Sequence, residues 1–147
     1  MKTLKQISLT GLVWLIISCK PSPKPIEYGI DDCQYCKMTI IDKIHGSEMV
    51  TKKGKVYKFD AAECMIHFLQ GFDPNEIELY LTNSFDHPSQ LVDATQAFYL
   101  VSENLPSPMG EFLTAFKNEG EAIDILATQG GTLYNWNEIK KILNAKK

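Results

Sequence analysis

The sequence predicts an α+β fold made of two similar halves with antiparallel strands, preceded by a signal peptide and a Pro-rich tether. Three observations support this. A chain of 147 residues, 44% apolar and 22% charged, has the composition of one ordinary globular domain. Short runs of alternating apolar and polar residues recur between segments bearing helix caps and glycine stops. Finally, Gly54-Lys-Val-Tyr-Lys-Phe-Asp60 and Gly131-Thr-Leu-Tyr-Asn-Trp-Asn137 repeat glycine, an apolar residue, Tyr, an aromatic residue and an Asp/Asn cap at an offset of 77. Two related halves explain the echo; independent use of one turn, strand and helix unit is the alternative.

Residues 1–18 read as a signal peptide: a cationic start at Lys2 and Lys5, a short apolar run from Leu12 to Ile17, then Ser18 before Cys19. The run is too short to span a bilayer. Ile16-Ile17-Ser18-Cys19 fits a lipobox, which makes Cys19 the lipid-bearing first residue of the mature chain; a secretory signal with an incidental Cys19 and an uncleaved anchor are the alternatives. Residues 19–30 form the lipidated tether, its Pro-rich part expected to hold the domain off the bilayer. No second long apolar run follows, so the chain is anchored to the membrane rather than spanning it.

The elements of the domain, residues 31–147, follow in order. A loop carries Asp31, Asp32, Cys33 and Cys36. Strands are expected at 47–52 and 55–59, turned by Lys53-Gly54, with Val56 and Lys58 on one face and Tyr57 and Phe59 on the other. Asp60 is expected to cap a helix over 61–70, with Glu63 completing a capping box and Gly71 ending it. Strands at 76–82 and 97–101 flank a loop around Asp86-His87-Pro88. Pro106, Pro108 and Gly110 break the chain, helices follow at 111–117 and 121–128, and Gly130-Gly131 stops the second. A strand at 132–136, an Asn137 cap and a helix to 144 complete the two halves, about 31–85 and 90–147.

All 15 cations are lysine, so no side chain can fork bidentately onto phosphate or guanine, and nucleic acid is not an expected partner. Loss of residues 1–18 leaves 13 Lys against 18 Asp+Glu, a net charge of −5. No nucleophile, base and orienting group stand in triad-like order, so an enzyme is not expected.

The chemistry lies in Cys33-Gln-Tyr-Cys36-Lys-Met38. Two thiols three apart converge on one ion without strain, and thiolate with thioether is the soft set that favours Cu(I) over Zn²⁺. In an exported chain a Cys-x-x-Cys can be a disulfide or redox couple, structural zinc, or a transfer site for a transition metal. The redox reading lacks a buried strand before the motif and a helix after it, and Asp31-Asp32 raises rather than lowers the thiol pKa. The zinc reading would add Cys64 and His67, yet Cys64 also lies in an apolar stripe with Met65, Phe68 and Leu69, the pattern of a small buried hydrophobe. Met109, in a loop stiffened by Pro106 and Pro108, is either a packing plug or an exposed soft ligand. His45 could supply a nitrogen, though a lone exposed His is more often solvated. His87 reads as surface, Met49 and Met65 as packing.

These residues occur in a familiar order. Asp-x-Cys-x-x-Cys-x-Met-x-Ile (Asp31 to Ile40), Phe-Asp…Cys-Met (Phe59 to Met65), Asp-Ala-x-x-Ala-x-Tyr (Asp93 to Tyr99), Pro-Met-Gly…Ala-Phe (Pro108 to Phe116) and a late Gly-Gly before an aromatic strand resemble the NosL family of copper-binding lipoproteins. The resemblance spans the mature chain and implies two ββαβ-like halves and a periplasmic, membrane-anchored Cu(I) metallochaperone. It implies delivery for the copper-sulfide centre of nitrous oxide reductase, with an ABC-type transporter as a further partner. By position it places Cys33, Cys36, Met38 and Met109 in the metal site, with Cys64 and His45 as secondary candidates. Family members often carry glycine where Lys37 stands.

Overall fold

The computed structural model describes residues 20–145; the expected signal peptide and the lipidation site Cys19 lie outside the described residues. β1 (Ser47–Thr51) and β2 (Val56–Phe59) form the expected hairpin, in register from Ser47↔Phe59 to Val50↔Val56. β3 (Ile77–Ser84) pairs with the other side of β1, and β4 (His87–Asp93) with β3, giving an antiparallel sheet of order β2-β1-β3-β4. Between β2 and β3 runs α1 (Ala62–Leu69). β5 (Phe98–Val101), β6 (Leu113–Phe116) and β7 (Thr132–Tyr134) make a second antiparallel sheet of order β6-β5-β7. α2 (Glu119–Gln129) joins β6 to β7, and α3 (Trp136–Ala145) ends the described chain. The fold is α+β, with two antiparallel sheets and helices. Among the described residues no helix is long and apolar enough to cross a membrane.

Alternation along β5 divides the interior. Tyr99 points into the main core with Met49, Phe59, Met65, Leu113, Trp136 and Ile139, while Leu100 points the other way, against Phe116 and Ala122 of α2. The Tyr99 hydroxyl donates to the Ala94 carbonyl at 2.7 Å, so the buried phenol keeps a polar partner. Both tyrosines nearest Trp136, Tyr80 of β3 and Tyr99 of β5, lie with ring centroids 5.7 and 5.9 Å from it, one from each sheet.

Four expectations are corrected. The helix expected at 111–117 is β6: Leu113-Thr-Ala-Phe116 is buried on both faces, so it shows no alternation that would mark a strand. The loop after Asp86 is β4, a polar edge strand where Pro88 is tolerated because one side needs no ladder bonds. Asp60 does not cap α1; the N-cap is Ala61, with no side-chain cap bond, and Asp60 faces inward at 3% exposure. Asn135, not Asn137, caps α3: its Oδ1 accepts the N–H groups of Asn137 and Glu138, and the Glu138 carboxylate accepts the Asn135 N–H at 2.8 Å, a reciprocal box.

The segment expected as free tether is fastened well before residue 30. The Lys24 N–H donates to Glu48 Oε1 at 2.9 Å, Ile26 is buried, and the Lys58 ammonium donates to the Pro25 carbonyl at 2.7 Å.

Candidate metal centre

The Cys33–Cys36 loop is closed by its own backbone. Cys33 N–H donates to the Met38 carbonyl at 2.8 Å, Lys37 N–H to the Cys33 carbonyl at 3.0 Å, and Asp32 bridges Thr39. The turn requires Lys37 at φ 66, the left-handed region where glycine carries no penalty. One further bond, Gln34 N–H to the Lys58 carbonyl at 2.9 Å, hangs the loop on β2. Because β2 runs directly into α1, the loop lies beside the first turn of that helix.

Cys64 sits in that turn. The sulfurs of Cys33, Cys36 and Cys64 lie within 4.8 Å of one another, and among the described residues this is the group of Cys, His, Asp and Glu side chains close enough to share an ion. Cys33 and Cys64 are fully buried and Cys36 is half-buried, so Cys36 is the face the cluster turns toward solvent. All three are free thiols.

Hydrogen bonding distributes the protons. The rise expected from Asp31-Asp32 is not found at Cys33: the Cys64 S–H donates to the Cys33 sulfur, and together with the backbone N–H groups of Asp60, Cys36 and Tyr35 it overcomes burial and holds the Cys33 thiol down to about 5. The same contact and burial push Cys64 far up, and burial raises Cys36 even though the Met38 N–H donates to its sulfur. Two buried carboxyls flank Cys64 along the chain, Asp60 four residues before it and Glu63 next to it. Asp60 is raised by burial and then by the Cys33 charge; Glu63, fully buried, is also raised by burial.

The Met109 loop is bound to the same helix turn. Ser107 donates to Glu63 Oε1, the Leu113 N–H donates to Ser107 Oγ at 3.3 Å, and Gly110 N–H closes a turn on the Ser107 carbonyl at 3.0 Å. One turn further along α1, His67 faces Glu111 at 3.8 Å while its ring stacks on Tyr35 at 5.5 Å between centroids. Helix α1 therefore holds both loops: His67 touches Tyr35 of the cysteine loop and Glu111 just past Met109. Met109 is partly buried against the core that contains Cys33 and Cys64.

The remaining candidates part ways. Met38 is 56% exposed at the outer end of its loop. His45 is buried rather than exposed, with Nδ1 on Asp42 Oδ2 at 2.8 Å and Nε2 facing Thr114 Oγ1 at 3.5 Å; it stands outside the thiol group. Cys64, which the sequence left between a buried hydrophobe and a ligand, is brought into the sulfur group, and Asp60, expected as a cap, lies within electrostatic reach of Cys33, while Glu63 is bonded to Ser107. The signal was present in Phe59-Asp60…Cys64, where a carboxylate and a thiol four apart lead from a strand into a helix.

A small α+β domain in which a two-cysteine loop and a helical cysteine close on one point belongs among thiol-centred metal-binding proteins. Residues 28–143 match the family described as NosL, and the chain belongs to that family. It is 30% identical over 131 residues to the copper-binding lipoprotein NosL of Stutzerimonas stutzeri, an alignment covering 83% of this chain and 69% of that protein. In fold it resembles the crystal structure of the copper chaperone NosL from Shewanella denitrificans, with a TM-score of 0.69, 23% identity, and coverage of 82% of this chain and 96% of that one.

Proposed function

We propose that this protein is a Cu(I) metallochaperone that carries copper at the periplasmic face of a membrane. The observation that carries the reading is the convergence of three free thiols within 4.8 Å. Three sulfurs suit the low coordination number of Cu(I), whereas structural zinc takes four ligands. The role is that of a carrier, not an enzyme: the cargo is bound and released unchanged.

Cys33, whose thiol pKa is lowered, supplies the first donor, Cys64 the deep one and Cys36 the accessible one. Met38, exposed beside Cys36, and Met109, on the loop fixed by Ser107 and Glu63, supply thioethers to an ion entering or leaving. Release proceeds by exchange: an acceptor's soft donor adds on the Cys36 side, and the carrier's sulfurs let go in turn. The copper-sulfide centre of nitrous oxide reductase is the destination implied by family membership, with an ABC-type transporter as the partner and a lipid on Cys19 as the anchor. Residues 1–18 are the removed signal, and residues 31–147 the copper-binding domain.

The domain is further read as two related ββαβ halves. Support comes from the succession β1, β2, α1, β3 and β5, β6, α2, β7, and from sheets that both place the second strand beside the first and the third on its other side. The echo at an offset of 77 relates β2 and α1 to β7 and α3, which hold different places in that succession, so it reflects a recurring local unit rather than the repeat.

Competition for Cu(I) against a chromophoric chelator tests the function. The reduced protein is expected to win copper, and replacing Cys33 and Cys36 by Ser to lower its affinity by orders of magnitude while far-UV circular dichroism stays unchanged. Equal competition by the double variant would remove the site.

A further inference from the structure

We propose that the cluster of Cys33, Cys36 and Cys64 also binds trivalent arsenic, as one As(III) covalently bonded to three cysteine sulfurs. The inference deepens the reading of this cluster as a soft-donor site and rests on the same convergence, but it does not require copper delivery.

Trivalent arsenic forms three bonds and carries a lone pair where a fourth would be, so its demand is for three thiols on one side. Here three free thiols lie within 4.8 Å, and no His, Asp or Glu of the described residues joins them to complete a tetrahedral set. Two come from one closed loop and the third from α1, so after the first bond each remaining one forms within the same molecule, at high effective concentration. Arsenous acid is small and uncharged at neutral pH. The half-buried Cys36 gives it an entrance, and the buried carboxyls of Asp60 and Glu63 do not repel a neutral molecule.

The step balances without an oxidant or reductant. As(OH)3 and three Cys S–H groups give As(S-Cys)3 and three waters; each As–O bond is replaced by an As–S bond, each thiol proton leaves with a hydroxyl, and arsenic stays trivalent. Thioethers have no proton to exchange, so Met38 and Met109 take no part. Arsenic therefore uses only the thiol subset of the donors proposed for copper, and occupation by one ligand excludes the other.

The test treats the reduced protein with sodium arsenite, measures intact mass and arsenic-edge X-ray absorption, and runs Cu(I) loading in parallel. One arsenic per chain with three hydrogens lost and three As–S bonds is expected, with prior arsenite blocking copper. Cys64→Ser is expected to retain arsenic at least tenfold less well through gel filtration, and Cys36→Ser, on the outer loop, gives a second variant if the buried change disturbs folding. Replacing both Met38 and Met109 by Leu should leave arsenic binding unchanged. A reduced protein that takes copper but no arsenic overturns this inference and leaves the carrier standing; one that takes neither overturns both. Equal retention by folded Cys64→Ser also overturns it.

Discussion

Lys37 holds φ 66 because the closed cysteine loop needs a left-handed residue just after Cys36. Its side chain gains only an exposed bond to the Gln34 carbonyl. Lys37→Gly should therefore stabilise the protein by up to about 1 kcal/mol, since the left-handed strain removed exceeds the added freedom of the unfolded chain; urea titration measures it. Glu48 makes the opposite case, a buried carboxyl with one oxygen bonded to Lys24 N–H and the other without a partner. Burial raises it to about 6 against an ordinary 4.5. A carboxyl raised in the folded state favours folding fully below its unfolded value, and that contribution is lost as pH rises through the folded one. Stability attributable to Glu48 should fall by about 2 kcal/mol between pH 3 and pH 7, and Glu48→Gln should abolish that part of the slope in melts across the range. At this scale the sequence disclosed Cys33 and Cys36 through their spacing. Periodicity showed only that Cys64 faces inward; its meeting with the loop depends on the bond from Gln34 N–H to the Lys58 carbonyl, which no side chain announces.

The secondary structure was legible where a local signature marked it. β1 is buried at every position, as β6 is, but the Lys53-Gly54 turn and the alternating β2 beyond it gave the hairpin away, and the apolar stripe with its glycine stop gave α1. β6 was not legible, since a strand covered on both sides is uniformly buried and cannot alternate. Nor was β4, whose polar residues and Pro88 fit a loop as well as an edge. Among the connections, Gly131 has the least latitude. At φ 106 it leads into β7, and a Cβ there would lie 2.2 Å from the Val101 carbonyl oxygen of β5. Gly131→Ala should displace β7 and cost more than about 3 kcal/mol, combining backbone strain with lost strand pairing. Denaturant titration gives the loss, and accelerated hydrogen exchange confined to β5 and β7 would assign it. A midpoint within error of the parent would contradict the contact.

Across the whole molecule, one core serves both sheets, and Trp136 stands where they meet. It is 5% exposed and touches Tyr80 from the first sheet and Tyr99 from the second. Truncation to Ala should cost about 3–5 kcal/mol, because neither sheet can close the space left by the indole. The unfolding transition should remain single, with both sheets lost together; two separate transitions would show that the sheets fold independently.

The fastening of Lys24 to Glu48 has a consequence for reach. With a lipid on Cys19, only residues 20–23, two of them proline, stand between the anchor and the first fixed backbone group. At about 3.3 Å per residue such a leash spans roughly 17 Å. The cargo mouth would then patrol a thin layer just above the headgroups, and an acceptor would have to offer its own donors inside that layer instead of waiting in open solution.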